Sequence, residues 1–333
     1  MIAPRPRGRA GAGALFALAI IALAQPLAPG TQVKSAHAQP NTVVVVSTVK
    51  TLERPQATFP IAPLQISAAR LQDVQVPVGR PVVQVPILMY HYIRVNPNPG
   101  DKMGYDLSVT PDDFRAQMDW LSANDWHPIT LTTLRSYWDG QPLPSKPIVL
   151  TFDDGYLDFY TSAFPILHEH HFPAVSYIVA GFIGMPGRYM TATQIQEMDK
   201  AGIEIGAHTV SHPNLAKLAP AQMHREVMDS KVALEQLVGH QVLDFSYPFG
   251  NFDALVVQMV AEQGYQSATT TMEGVGHASG DRFTWARTRV HGGESLDDFV
   301  RRLARHEDGV GSPGPVITLP RVYPFVYLRL GDQ

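Results

Sequence analysis

The sequence predicts an α/β fold whose mainly parallel sheet closes into a barrel. Three observations carry that expectation. Short β-branched runs alternate with amphipathic stretches of helical period from Val85 onward, the pattern of successive βαβ units. Six or seven such units fit the roughly 240 residues available, which suits a barrel better than a small open sheet. The apolar run Pro147-Ile148-Val149-Leu150-Thr151-Phe152 climbs straight into Asp153-Asp154-Gly155. That reads as a buried strand delivering two carboxylates at its C-terminal end, where parallel α/β folds bind ligands. Asp-Asp-Gly also suits a plain solvated turn, so the rest of the chain has to decide between the two.

Composition narrows the field. Of 333 residues, 45% are hydrophobic and 17% charged, enough for one sizeable core plus appendages. The net charge of −4 and the lack of a dense basic patch argue against nucleic acid as a partner. There is no cysteine, so disulfides and thiolate chemistry are excluded. Any metal must be held by His, Asp or Glu, and the 13 histidines supply many candidates.

In chain order, Arg5, Arg7 and Arg9 precede an apolar run from Ala10 to Ala24, and no acidic residue appears before Glu53. A basic head, an apolar stretch of that length and a small-x-small site describe a secretory signal. Ala22-Leu23-Ala24 and Ala36-His37-Ala38 both fit such a site, and the second is preferred because Gln39-Pro40 opens a linker-like region. The alternative is an uncleaved anchor attached to a membrane, for which the run is short. The expected organisation is therefore a signal over 1–38, a Pro-rich linker or irregular wrap over 39–85 with a short strand at Val43–Val46, a folded domain over 86–305, and a C-terminal extension over 306–333.

Within the domain, Val85 to Tyr92 reads as a first strand ending in an aromatic-His-aromatic tip at Tyr90-His91-Tyr92. Thr110-Pro111-Asp112-Asp113 has the cap, the proline and the first-turn acids of a helix start, with Phe114, Met118 and Leu121 on one face. Residues 156–171 read as a helix containing Pro165, and Ala174 to Ala180 as a strand. Thr191 to Ala201 is a helix with Gln194 three residues after its Thr cap and Gly202 as its stop. Ile203 to His208 is a strand, Pro220 to Val238 a long helix, and Val242 to Pro248 a strand. Asp253 to Gln263 is a helix stopped by Gly264, and Tyr265 to Thr271 a further strand.

The second informative stretch is His208-Thr209-Val210-Ser211-His212. Two histidines four apart face the same way if the backbone turns helically after the strand. With one carboxylate they form a set that leaves metal positions open for water and substrate. A lone His pair at this spacing is seldom a metal site. This one falls at a strand end, as the Asp pair does, and the coincidence raises its weight.

Thr151-Phe152-Asp153-Asp154-Gly155 together with His208-Thr209-Val210-Ser211-His212 resembles the first two motifs of the polysaccharide deacetylases, also called the NodB-homology or carbohydrate esterase 4 family. The resemblance spans roughly residues 86 to 300. It implies a distorted (β/α) barrel of seven strands and a divalent metal, most commonly Zn2+, with Co2+ or Ni2+ as alternatives. Carried over, Asp154, His208 and His212 would be the metal ligands and Asp153 the general base. The third family motif, Arg-x-Pro-Tyr-Gly, stands here as Ser246-Tyr247-Pro248-Phe249-Gly250, without its arginine. The family arginine steadies the base. Arg287, in Trp285-Ala286-Arg287-Thr288-Arg289-Val290, is the candidate to replace it, and the Phe249 backbone N–H the candidate oxyanion donor.

No general-acid histidine is found late in the chain. The start Ile87-Leu88-Met89-Tyr90-His91 and the Phe-Ser-Tyr-Pro-Phe-Gly form resemble the branch containing the poly-β-1,6-N-acetylglucosamine deacetylases. In that branch the acid comes from the first strand, which points to His91, with His291 and His277 as alternatives. Tyr247, Tyr156 and Trp285 are candidate substrate-binding residues, and Tyr90, Tyr92 and Phe249 further aromatics able to stack on sugar. The function implied is removal of acetyl groups from an N-acetylated polysaccharide, outside the cell or in its envelope. An O-acetyl esterase on a glycan would use the same site, and an amidohydrolase of a small cyclic amide fits the superfamily less well once export is considered. A glycan-binding module with a degraded site is the non-enzymatic alternative.

Overall fold

The computed structural model describes residues 82–98 and 100–307. Its centre is a set of parallel strands: β1 (Ile87–Tyr90), β2 (His127–Ile129), β3 (Pro147–Phe152), β4 (Val175–Ile178), β5 (Glu204–Ala207), β6 (Asp244–Ser246), β7 (Ser267–Glu273) and β8 (Trp285–Arg289). Seven of them close a ring in the order β1-β8-β7-β6-β5-β4-β3, with β3 pairing back onto β1. The eighth, β2, pairs with the lower half of β3, Ile129 opposite Val149. The signal segment, the Val43–Val46 strand and the tail beyond residue 307 lie outside the described residues. Among the described residues no helix is long and apolar enough to cross a membrane.

Two-residue alternation along β1 and β3 divides the core. Leu88, Tyr90, Ile148, Leu150 and Phe152 face the helices, while Ile87 and Val149 join Val175, Tyr177 and Trp285 in a second cluster within the ring. Both faces of β3 are therefore buried, the reason its sequence is an unbroken apolar run. Following the inward face upward, Val149 gives way to Thr151 and then to Asp153 at the rim.

The surrounding helices are α1 (Pro111–Ala123), α2 (Leu131–Ser136), α3 (Phe164–Glu169), α4 (Ala192–Lys200), α5 (Pro220–Val238), α6 (Ala254–Glu262) and α7 (Leu296–Glu307). Their starts follow local chemistry. The Thr110 side chain caps α1, Asp253 caps α6, and Thr191 with Gln194 forms a reciprocal capping box on α4.

Departures from the sequence expectation have identifiable causes. The helix expected over 156–171 passes through a π-helical segment, Phe159–Ala163, before α3. Pro165 cannot donate to the preceding turn, and a widened turn just ahead of it accommodates the missing N–H. Strand β2 and helix α2 were not anticipated, since three residues with Pro128 at their centre carry no readable alternation. The first described strand, Val83–Gln84, pairs antiparallel with Gly276–His277 and so precedes the expected start at 86. At the other end α7 seats Phe299 against Trp120 of α1, ring centroids 6.4 Å apart.

Candidate active site

Three loops at the C-terminal ends of β3, β5 and β6 meet at one point on the rim. Asp154 follows β3 in a left-handed conformation, φ 75°, and Gly155 continues it at φ 78°. Thr209 and His212 after β5 have φ 66° and 58°, and Phe249 after β6 has φ 60°. Of the seven non-glycine residues in this left-handed region among the described residues, four lie on these three loops, the pattern of strain held at a functional site. The histidines are thus brought together by a tight turn, where the sequence suggested a helical one. The His212 N–H donates to Thr209 Oγ1 at 2.9 Å and closes that turn.

Asp154 Oδ1 lies 3.5 Å from His208 Nε2 and 3.4 Å from His212 Nε2. The three potential ligand atoms all lie within 4.8 Å of one another. Donors about 2.0–2.2 Å from a tetrahedral cation stand roughly 3.4 Å apart, so these residues fit a divalent ion that accepts nitrogen and oxygen. His208 Nδ1 donates to the Ser246 carbonyl at 2.7 Å, which leaves its Nε2 lone pair facing the carboxylate. Burial holds the His208 imidazole down at about 4, so it remains a neutral donor, and burial also lowers His212. Burial raises the Asp154 carboxyl against the pull of His208.

Asp153 points the other way, into the ring. It meets Arg287 in a bidentate pair, Nη1 to Oδ1 at 2.8 Å and Nη2 to Oδ2 at 2.7 Å. Arg287 is wholly buried, and its remaining donors are used: Nε on the Thr270 carbonyl at 2.8 Å, Nη1 on Thr151 Oγ1 at 3.1 Å and Nη2 on Ser246 Oγ at 3.2 Å. Thr288 is in register with Leu88, so Arg287 starts low on the inner face of β8 and its long side chain climbs to the rim. Ser246, standing where the family motif has arginine, leaves room for that guanidinium and accepts from it. Burial alone would raise the Asp153 carboxyl, but the Arg287 charge and hydrogen bonds outweigh it and hold the group well below the ordinary carboxylate range.

His91 closes the site from the end of β1, its Nε2 3.9 Å from Asp153 Oδ2. Burial lowers its imidazole to about 4, although Asp153 draws it upward. The two alternatives lie elsewhere. His291 pairs with Asp106 at 2.8 Å, and buried His277 bonds the Val85 carbonyl at 2.9 Å, beside the start of β1.

Two of the substrate-binding expectations are corrected. Trp285 is completely buried at the opposite, N-terminal end of β8, its ring 5.9 Å from that of Trp138. Tyr247 is buried too, its hydroxyl donating to the Phe283 carbonyl at 2.9 Å. Both are apolar bodies filling the core, with no face left for a sugar. Tyr90 is likewise buried, stacked on Phe152. Tyr156 stays at the rim, but its ring stacks on Tyr92 at 3.8 Å and Tyr189 at 5.2 Å, and its hydroxyl approaches Asp154. Phe249 differs from all of these: 60% exposed, it meets His212 edge-on at 4.6 Å.

With this geometry in hand, the chain can be compared with known proteins. A family model described as polysaccharide deacetylase matches residues 140–268. YxkH of Bacillus subtilis (strain 168), whose name assigns it to the polysaccharide deacetylases, is 32% identical over 217 residues, 65% of this chain and 75% of that protein. The chain belongs to the polysaccharide deacetylase family. As a member it is an enzyme, a hydrolase acting on acetylated polysaccharide, and its Asp-His-His cluster is a possible metal site of this metal-dependent family. The poly-β-1,6-N-acetyl-D-glucosamine N-deacetylase of Escherichia coli (strain K12) is 25% identical over 240 residues, 59% of this chain but only 36% of that protein. Among solved structures, the Streptococcus pyogenes deacetylase PplD in complex with acetate superposes with a TM-score of 0.63 at 28% identity, covering 67% of this chain and 99% of that one.

Proposed function

We propose that this chain is an exported, metal-dependent N-deacetylase of an N-acetylglucosamine-type polysaccharide, with zinc as the resident ion and cobalt or nickel as workable substitutes. The observation that carries the proposal is the division of labour between adjacent aspartates. Asp154 turns to two neutral imidazoles, and Asp153 turns to a buried arginine and a histidine. The poly-β-1,6-N-acetyl-D-glucosamine N-deacetylase relative supports the polymer class. The basic head and apolar run over 1–38, outside the described residues, support export.

Asp154, His208 and His212 would hold the cation. When bound, it supplies Lewis acidity that polarises the acetyl carbonyl and makes water nucleophilic near neutral pH. Asp153 takes a proton as the water oxygen bonds to the carbonyl carbon. The Arg287 clamp keeps that carboxylate ionised across the working range and fixes its direction. The oxyanion that develops is met by the Phe249 N–H, a fixed donor on a strained turn. His91, neutral before reaction and 3.9 Å from Asp153, receives the proton and passes it to the departing nitrogen. The C–N bond breaks, leaving acetate and an amine, with the second proton of the water ending on that amine as an ammonium or in solvent.

The test is acetate release from N-acetylglucosamine oligomers by apo and zinc-loaded enzyme, with an O-acetylated glycan in parallel. Zinc-dependent release from the N-acetyl substrate is expected. Release only from the O-acetyl ester would move the chain to the esterases, and zinc binding with release from neither would make it a binding module.

A further inference from the structure

We propose that Glu226, on the second turn of α5, is a positioning residue that sets the geometry of the His208–His212 loop and hence its affinity for a divalent cation; this inference rests on the metal reading above. The loop has little intrinsic reason to hold its shape. Thr209 and His212 both sit in the left-handed region at φ 66° and 58°, uncommon for any residue with a Cβ and an outlier for β-branched Thr209. Something outside the loop must therefore over-determine it.

Glu226 meets that requirement. Its Oε2 accepts from the Val210 N–H and the Ser211 N–H, both at 2.9 Å, and its Oε1 accepts from the Ser211 hydroxyl at 2.7 Å. One carboxylate thus takes all three donors of Val210 and Ser211, two of the three residues between the histidines. Bonds to an ionised acceptor are the stronger kind. The carboxylate is carried on a 19-residue helix fixed to the core by Met223, Val227, Ser230 and Leu234, so it acts as a rigid post. The loop is gripped from the other side by the Ala180 N–H on the Thr209 carbonyl at 3.0 Å and the Gly181 N–H on the Val210 carbonyl at 2.8 Å. Glycine is needed there, since a Cβ on residue 181 would press on the Val210 carbonyl. Between these two grips, His208 Nε2 and His212 Nε2 come to similar distances from Asp154 Oδ1. Groups that orient metal ligands from behind commonly change affinity by 10–100-fold when removed.

The experiment measures zinc dissociation constants for the full chain by competition with a chromophoric chelator, alongside thermal unfolding of the apo form. Glu226→Ala is expected to weaken zinc by about 10–100-fold, with kcat largely restored at saturating metal. Glu226→Gln, which retains one acceptor oxygen for the two N–H groups, should recover much of that loss, and Ser211→Ala should cost less than either. If Glu226→Ala weakens zinc only in proportion to a lowered apo melting temperature, with Glu226→Gln no better, the role is general packing and the proposal fails. A dissociation constant within twofold of the parent overturns it outright. Failure of the parent to bind zinc at all would overturn the metal reading, a result distinct from normal parent binding with insensitive variants.

Discussion

Asp153 and Arg287 show how much one relocated side chain can explain. The motif position that would hold the family arginine is Ser246, yet the guanidinium arrives from β8 and pairs with the same carboxylate. Because the pair is buried, removing one partner strands a charge. Arg287→Met should cost about 3–5 kcal/mol in chemical denaturation and abolish turnover. Asp153→Asn with Arg287→Met should recover part of that stability and none of the activity, a coupling that a double-mutant cycle reads directly. Asp153→Asn alone should keep zinc and lose turnover by roughly 10²–10⁴-fold. Phe249 is the opposite case, exposed and strained. Phe249→Ala should leave the melting temperature nearly unchanged and raise KM for a polymeric substrate by up to about tenfold, the worth of one aromatic contact. A small acetyl ester that makes no such contact should show no change.

At the level of elements, local sequence chemistry and catalytic geometry separate cleanly. Helix α4 begins at a capping box in which Thr191 accepts from the Gln194 N–H while the Gln194 side chain accepts from the Thr191 N–H. Thr191→Ala should cost about 1 kcal/mol of stability with kcat/KM unchanged, as measured by denaturant titration and acetate release. The His208–His212 loop has no such local code. Its shape comes from α5 on one side and the turn after β4 on the other, both distant in sequence. The spacing of the two histidines was legible; the conformation that unites them was not, and Glu226 gave no signal because a glutamate in the second turn of a helix is ordinary.

For the molecule as a whole, the closed ring has two different ends. The C-terminal rim carries the Asp153–Asp154–His208–His212 cluster, while the N-terminal end holds Trp138, Trp285 and His277 together with a largely buried Arg135–Asp244 ion pair. Burial keeps the His277 imidazole at about 4, well below its ordinary value. Between about pH 6.5 and pH 4 the unfolded chain binds a proton there that the folded chain does not. Stability from this group is therefore complete above pH 6.5 and is lost as pH falls through 4, by about 3 kcal/mol in total. Urea unfolding of the parent and of His277→Gln across that window should show a shallower acid loss in the variant. Zinc should raise the melting temperature of the whole protein in a concentration-dependent way, and a chelator should reverse it.

By itself the sequence determined the alternation of strands and helices, the carboxylates of Asp153 and Asp154 at a strand end, and the His208/His212 pair. These are local patterns, fixed by side-chain period and spacing. The family resemblance added Arg287 as the candidate to replace the missing motif arginine. Only the tertiary structure decided which aromatics are available to a ligand, since Tyr247, Trp285 and Phe249 differ in burial and little in sequence context. It alone turned the two aspartates in opposite directions and brought Arg287 to the Asp153 carboxylate across more than a hundred residues, with Thr151 and Ser246 accepting from the same guanidinium. The physical reason is ring closure. Strands that pair across the barrel bring distant residues onto one inner face, and no local period records which of them will meet there.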